Sequence, residues 1–464
     1  MRGREEGGTR VYITRVQLEN IKGFSRRRAV DLKLPGRSGW IVLAGRNSSG
    51  KSTLLQAIAL ALGGPNVVRG LNADFAGWIT HRSLTGRVAV RVTSDPRADT
   101  FVHRGVRREA GMLLGLEWTR PPRSTSSRGV QRLEMAPLED VPDAGAYGPW
   151  AENPRGWFCA GYGPFRRLTG VVGAAHSRDT APPEPLATLF QENASLAESV
   201  RWAVDLHHRK LEEEQARREG EEREEVAGPL LGTVLALLRD GLLPDAYRVQ
   251  RITADGLWVS EQGRKAQFPL REMSDGYRTV AALVLDIVRQ IHGRYGYLET
   301  GPTSSGGTAV LQPGVVLIDE VDAHLHVTWQ RRIGDWLRAH FPRVQFIVTS
   351  HSPYICQAAD EDALIRLPGP AEAESPAVVS EDLYRRVVYG SGDDAALSEL
   401  FGLETPFSSR AERQRRRLVE LERKVYARTA SAEEKDEYRE LAQLLTSSVQ
   451  TRVAEVAARL EQDR

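Results

Sequence analysis

Residues 45–52, Gly-Arg-Asn-Ser-Ser-Gly-Lys-Ser, have the spacing of a phosphate loop. Gly45 and Gly50 let the N–H groups between them turn inward around phosphate oxygens, with Asn47, Ser48 and Thr53 in the same nucleotide-binding set. Lys51 brings a mobile positive charge to the β- and γ-phosphates, and the Ser52 hydroxyl is a ligand for Mg²⁺. The N-terminus of the following helix adds a favourable field. A second chemical feature is the apolar run Gly314–Ile318, which ends in Asp319 and Glu320. Side chains alternate along a strand, so the adjacent acids point differently and take different roles. Asp319 is placed to hold Mg²⁺ through water and Glu320 to polarise an attacking water. His351 follows a third apolar run, where an imidazole can sense a γ-phosphate and orient that water. Together these groups would suit transfer of a γ-phosphoryl group to water, with ATP and Mg²⁺ as the expected cofactors. His324 and His326 lie just beyond the acids, but no cysteine or third histidine is nearby to complete a metal site, and a structural role is expected.

These groups must stand at the ends of strands. Ile41–Ala44 is a short apolar run closed by glycine, as expected of a buried parallel strand, and Val315–Ile318 and Gln345–Thr349 read as central strands. Val11–Leu18, Ala29–Leu34 and Arg87–Val92 read as further strands. Ser52–Leu62 carries Leu54, Leu55, Ile58 and Leu62 on one helical face. Leu186–Glu225 reads as helical. Its almost wholly charged part, Lys210–Glu225, predicts a solvent-facing helix projecting from the body. Leu230–Leu242 and Thr279–Ile291 are apolar helices, Pro121–Pro154 reads as loops, and Thr303–Thr308 is a Gly/Ser/Thr loop. Arg410–Arg428 and Ser431–Leu460 form a helical pair. Ser431 and Glu434 have capping-box spacing. Val449, Val453, Val456 and Leu460 form a seam suited either to packing on the body or to a partner surface.

The chain has 464 residues, 41% hydrophobic and 27% charged, enough to build a large α/β core. Lys plus Arg is 63 against 61 Asp plus Glu, so no global charge draws it to nucleic acid. Locally, Met1–Arg28 holds eight basic residues against three Glu. Arg26–Arg28 is either a phosphate-backbone contact or a solvated turn. No run approaches a membrane span, and the polar, Gly/Arg-rich Met1–Arg10 lacks the apolar stretch of a secretory signal. Cys159 and Cys356 are the two cysteines, consistent with a reducing, cytoplasmic setting.

The motifs, taken in order, resemble those of ABC-type ATPases of the SMC, RecF and OLD group. Ile13–Phe24 resembles that group's opening strand, Leu270–Arg278 (Leu-Arg-Glu-Met-Ser-Asp-Gly-Tyr-Arg) its signature motif, Asp319–His326 its second acidic motif and D-loop, and Thr349–Pro353 its switch-histidine motif. The resemblance implies an α/β fold: a P-loop ABC-type ATPase head with a mixed sheet, a helical insertion and a C-terminal helical hairpin. The expected division is an ATPase lobe at 1–170, a helical insertion at 171–250, a second ATPase lobe at 251–370 and a helical region at 371–464. It also implies that two chains close on two ATPs. Ser274 and Gly276 of one would touch the γ-phosphate held by the other, and Arg278 would add charge in the manner of an arginine finger.

Two departures stand out. Asp275 occupies the place where transporters carry glycine, which points to DNA-repair and defence branches. The group's Q-loop glutamine is not evident, Gln191 being the candidate. The segment Gly161-Tyr162-Gly163-Pro164-Phe165-Arg166-Arg167 is also unusual, with Tyr162 and Arg166 either touching nucleotide or bracing a turn. Long coiled-coil arms are absent and no TOPRIM acid pattern follows His351. This is similar to stand-alone OLD-like ATPases such as those of the Septu and PARIS anti-phage systems, which work with a separate nuclease or toxin. The expected partners are therefore a second copy or more of this chain and such an effector, with nucleic acid possible and no membrane. A RecF-like repair ATPase acting directly on DNA and an ATP-locked scaffold are the alternatives.

Overall fold

The computed structural model describes residues 12–71, 75, 77–93, 111–121, 133–139, 149–150, 156–164, 166, 185–191, 196–221, 224–243, 247–264, 266–403, 405 and 407–445. The chain falls into two compact units, one ending at Ala395 and one beginning at Ala396. In the first unit the strands are β1 (Ile13–Glu19), β2 (Val30–Lys33), β3 (Gly39–Ala44), β4 (Thr85–Val92), β5 (Met112–Thr119), β6 (Glu134–Pro137), β7 (Cys159–Tyr162) and β8 (Tyr247–Thr253). They continue with β9 (Gly256–Glu261), β10 (Gln267–Pro269), β11 (Thr300–Pro302), β12 (Thr308–Val310), β13 (Gly314–Ile318), β14 (Val344–Ser350), β15 (Leu364–Arg366) and β16 (Ala377–Val378).

The sheet that organises the unit has the order β16-β15-β3-β14-β13-β7. β15, β3, β14, β13 and β7 run parallel, and β16 is antiparallel at one edge. β13 and β14 are buried along their whole length, which is why they read as unbroken apolar runs rather than alternating ones. Register aligns their ends: Ala44 lies opposite Ser350, and Ile318 opposite Val348. The phosphate loop, the acidic pair and His351 therefore all leave the sheet at its carboxyl edge, where open parallel sheets bind ligands.

A second, antiparallel sheet has the order β2-β1-β4-β5-β6. β2 and β4 alternate buried with exposed or half-exposed residues, as one-sided strands must. The helix Lys51–Gly70 is sandwiched between this sheet and the parallel one, contacting β4, β5 and β14. It runs further than its first apolar face suggests, with a kink at Gly64 (φ 74°) before Pro65. A Cβ at Gly64 would lie 2.5 Å from the Trp150 ring, and the Trp150 indole N–H donates to the Ala61 carbonyl at 3.0 Å.

The insertion differs from what its composition predicts. Its helices are Ala197–Arg218 and Ala227–Arg239, preceded by a short 3-10 turn at Ala187–Leu189. The charged stretch does not project alone, because it packs against the second helix. The Glu213 carboxylate accepts from the N–H groups of Val226, Ala227 and Gly228 at 3.0–3.4 Å, satisfying donors that a helix start leaves open. The Thr303–Thr308 loop is the turn of the hairpin β11–β12. β7, β8 and β9 are strands beyond those expected, with β8 and β9 paired as an antiparallel hairpin around Ala254-Asp255.

In the second unit, Ser409–Tyr426 and Ala432–Leu444 form a helical hairpin. Arg417 grips Glu437 through two bonds at 3.0 and 2.8 Å, and the Ser431/Glu434 capping box forms. The seam Val449, Val453, Val456 and Leu460 lies outside the described residues. Among the described residues, no helix is long and apolar enough to cross a membrane.

Candidate functional site

The phosphate loop leaves β3 at Gly45 and enters the helix at Lys51. Its turn needs left-handed backbone at Ser48 (φ 64°) and Gly50 (φ 98°). A Cβ at Gly50 would sit 2.6 Å from the Phe24 ring, and one at Gly45 would sit 2.5 Å from the Leu367 carbonyl oxygen, so both glycines are also demanded by packing. Arg46, Asn47 and Ser48 are exposed at the crest, with Ser52 and Thr53 half-buried on the first helical turn. Lys51 is only 6% exposed, and its Nζ donates to the carbonyls of Gly45 (2.9 Å) and Arg46 (3.1 Å). Burial pulls its pKa down to about 8, against the opposing pull of Asp319, Glu320 and Asp322.

Asp319 is 3% exposed. It accepts a short hydrogen bond from the Thr349 hydroxyl, which in turn accepts from the Glu320 N–H at 2.7 Å. The neighbouring strand thus fixes both acids through one threonine. Ser350 donates in the same way to Asp322 at 2.5 Å. Glu320 has a left-handed backbone, φ 44°, which costs a non-glycine residue energy and persists only where surroundings over-determine it. Burial raises the Glu320 pKa, reinforced by Asp319 and Asp322 and opposed by Lys51 and Arg166. A carboxyl raised toward neutrality is better matched to taking a proton from water. The half-buried His351 is shifted the other way, first by burial and then by Lys51, while Asp322 and Asp319 oppose. Lys51, Asp319, Glu320, Asp322 and His351 therefore lie within one electrostatic neighbourhood.

Among the described residues, no cluster of three or more His, Cys, Asp or Glu forms a metal cage. The Ser52 hydroxyl and the Asp319 carboxylate are oxygen donors of the kind suited to Mg²⁺, which takes few protein ligands and fills its octahedron with water and substrate phosphates. His326 serves the fold, as its Nδ1 accepts from the Thr328 N–H at 3.4 Å and caps the helix Val327–Gln330.

The signature helix spans Asp275–Tyr295. Ser274 precedes it with extended backbone, is exposed, and its hydroxyl makes no capping bond. A Cβ on Gly276 would meet the His324 carbonyl oxygen at 2.5 Å, so the glycine lets the signature turn pack on its own chain's D-loop. Arg278 is turned back onto its own helix start, donating to Asp275 and to the Arg271 carbonyl.

Two sequence expectations are revised. The Gln191 side chain donates to the Leu71 carbonyl at 3.2 Å, just past the far end of the helix that Lys51 begins. It is therefore no Q-loop residue. Arg28 does not belong to a free basic patch. Its guanidinium donates to the carbonyls of Pro368, Gly369 and Glu372 and reaches Ser49 of the phosphate loop at 3.5 Å, leaving Arg26 and Arg27 exposed. Arg166, for which the sequence offers no single role, lies with its guanidinium behind the acidic turn and donates to the Asp319, Glu320 and Val321 carbonyls. The clustered glycines and arginines of 161–167 are its only signal in the sequence.

A phosphate loop and an acidic pair on the carboxyl edge of one parallel sheet, flanked by an antiparallel sheet and a signature helix, define the fold of an ABC-type P-loop ATPase head. Two family profiles match, "AAA domain" over residues 15–121 and "AAA domain, putative AbiEii toxin, Type IV TA system" over 170–357. The chain is related to the Septu protein PtuA of Bacillus mycoides, 39% identical over 358 residues, or 75% of this chain and 39% of PtuA. It is also related to the "Retron Ec83 probable ATPase" of Escherichia coli, 34% identical over 105 residues, or 23% of this chain and 18% of that protein. The chain thus spans well under half the length of these relatives. Among solved structures, an SMC head bound to the C-winged helix domain of ScpA aligns with TM-score 0.44 at 15% identity, covering 79% of this chain and 97% of that one.

Proposed function

We propose that this chain binds ATP with Mg²⁺ and hydrolyses it between two copies, and that its ATP state controls a separate nuclease or toxin in anti-phage defence. The observation that carries the catalytic part is an asymmetry. Lys51, Asp319, Glu320 and His351 stand at one carboxyl edge of the parallel sheet, the first held on the phosphate-loop carbonyls and the acids bridged by Thr349, whereas Ser274 stands exposed at a helix start with no capping bond from its hydroxyl. The loop N–H groups and Lys51 would hold the phosphates, with Lys51 exchanging its carbonyl partners for phosphate oxygens. Ser52 and Asp319 would hold Mg²⁺, whose charge neutralises the phosphates when it is bound. Glu320 takes the proton of the attacking water and His351 orients that water. From the second copy, Ser274 and the helix start behind it face the developing charge on the transferring phosphoryl group. The defence role is supported by similarity to a Septu protein and a retron ATPase.

The test compares ATP turnover and solution mass for wild type and Glu320→Gln. Loss of turnover with ATP-dependent accumulation of a dimer or larger assembly is expected. Nucleotide binding without turnover or change of mass in either protein refutes the hydrolytic reading and favours a scaffold. Recovery of no nuclease or toxin by pull-down from the native host, with or without ATP, refutes the effector reading.

A further inference from the structure

Arg166 is 2% exposed, and its guanidinium fork closes on three consecutive main-chain carbonyls: Asp319 at 3.1 Å, Glu320 at 2.9 Å and Val321 at 3.4 Å. These belong to the turn in which Glu320 is left-handed. A planar fork suits such a row of acceptors, whereas a lysine ammonium is a single point charge. The same segment is tied to the acidic strand from the other side. Tyr162 lies opposite Ile318 in the β7–β13 ladder, and its carbonyl accepts from the Asp319 N–H at 2.7 Å.

The segment also reaches the signature helix. The buried Tyr162 hydroxyl donates to Asp286 at 3.0 Å, and Arg289 holds the other Asp286 oxygen through two bonds at 3.0 and 2.8 Å. Thr279, one turn into the helix, donates its hydroxyl to the Arg166 carbonyl at 3.4 Å. Close approach keeps the segment in place, since a Cβ on Gly163 would lie 2.1 Å from the Thr188 carbonyl oxygen. Burial lowers the Arg166 pKa to about 10, still far above neutrality, with Asp319, Asp322 and Glu320 sustaining the charge. A buried cation directed at main-chain oxygens, with its Nε unpartnered, is costly as a mere packing element.

We propose that Tyr162, Gly163 and Arg166 form a strap joining the signature helix to the acidic turn, with Arg166 as the positioning residue that aims Glu320. One end of the strap moves with the helix that meets the second copy, and the other end sets the carboxylate that works in the first. This rests on the hydrolytic reading for its consequence, but the strap itself can be read without turnover.

The experiment is hydrogen exchange by mass spectrometry on the nucleotide-free chain, together with kcat, KM and ATP affinity, for wild type, Arg166→Lys, Tyr162→Phe and Glu320→Gln. Arg166→Lys is expected to speed exchange across residues 316–326 with little change elsewhere. It should lower kcat by roughly 10–100-fold, the range seen when a supporting partner of a site group is lost, while ATP affinity stays within about threefold. Tyr162→Phe is expected to loosen residues 316–326 and 275–290 together, with a smaller fall in kcat. Wild-type exchange and wild-type kcat in Arg166→Lys overturn the proposal, as does a uniform rise in exchange across the chain in both strap variants. If Arg166→Lys fails to fold, Tyr162→Phe decides by whether the two regions loosen together. If wild type and Glu320→Gln turn over equally, the hydrolytic reading fails, and the exchange pattern still decides whether the strap exists.

Discussion

The two halves of the candidate site are built in opposite ways. The half around Lys51, Asp319 and Glu320 is densely bonded: a buried ammonium on two carbonyls, a threonine bridging adjacent acids, a left-handed glutamate and an arginine fork beneath it. The signature half exposes Ser274 and leaves its hydroxyl without a capping bond. Each half matches its proposed role. Groups that act inside one chain are fixed in advance, since preorganised dipoles cost nothing to align at the moment of reaction. A group intended for a second copy must stay accessible until that copy arrives.

The contrast can be broken or sharpened by substitution. Glu320→Gln removes the proposed proton acceptor from the dense half, and ATP turnover should fall by about 10²–10⁴-fold with ATP binding retained, read by phosphate release and a binding isotherm. A variant hydrolysing at the wild-type rate would remove the dense half from the chemistry. Ser274→Arg places bulk and charge on the open half. Turnover should fall by about 10²-fold and the ATP-dependent rise in mass should vanish, while single-chain ATP affinity is kept. If affinity falls instead, the open half serves its own chain's nucleotide, and the comparison fails.

Gly276→Ala probes the junction between the halves. With 2.5 Å to the His324 carbonyl oxygen, the added methyl forces the signature turn and D-loop apart, at a cost of about 1–3 kcal/mol in thermal unfolding. A neutral result would show that the junction yields. Ser431→Ala, in the separate helical hairpin, serves as the control. Loss of its cap should cost about 1 kcal/mol locally, seen as faster exchange at residues 432–435, with turnover unchanged.

The amino-acid sequence by itself determined the groups proposed to meet phosphate. Their roles depend on local spacing, glycines around a turn, a lysine and hydroxyl at a helix start, and acids at the end of an apolar strand, and each of these is written within a few consecutive residues. Strand β13 and the Ser431 capping box are legible for the same reason. Tertiary structure alone decided what supports those groups. Arg166 meets Asp319 across 153 positions and Arg28 meets Pro368 across 340, and no local period records such pairings. Lys210–Glu225 reads as a free charged helix because its partner, and the Glu213 cap it supplies, become visible only when two helices are packed. Gln191 misleads for a related reason: a glutamine's type is local, but the carbonyl it finds is set by the fold. Short-range chemistry is encoded in neighbours along the chain, whereas the aim of a catalytic side chain is set by contacts that exist only after the sheet has assembled.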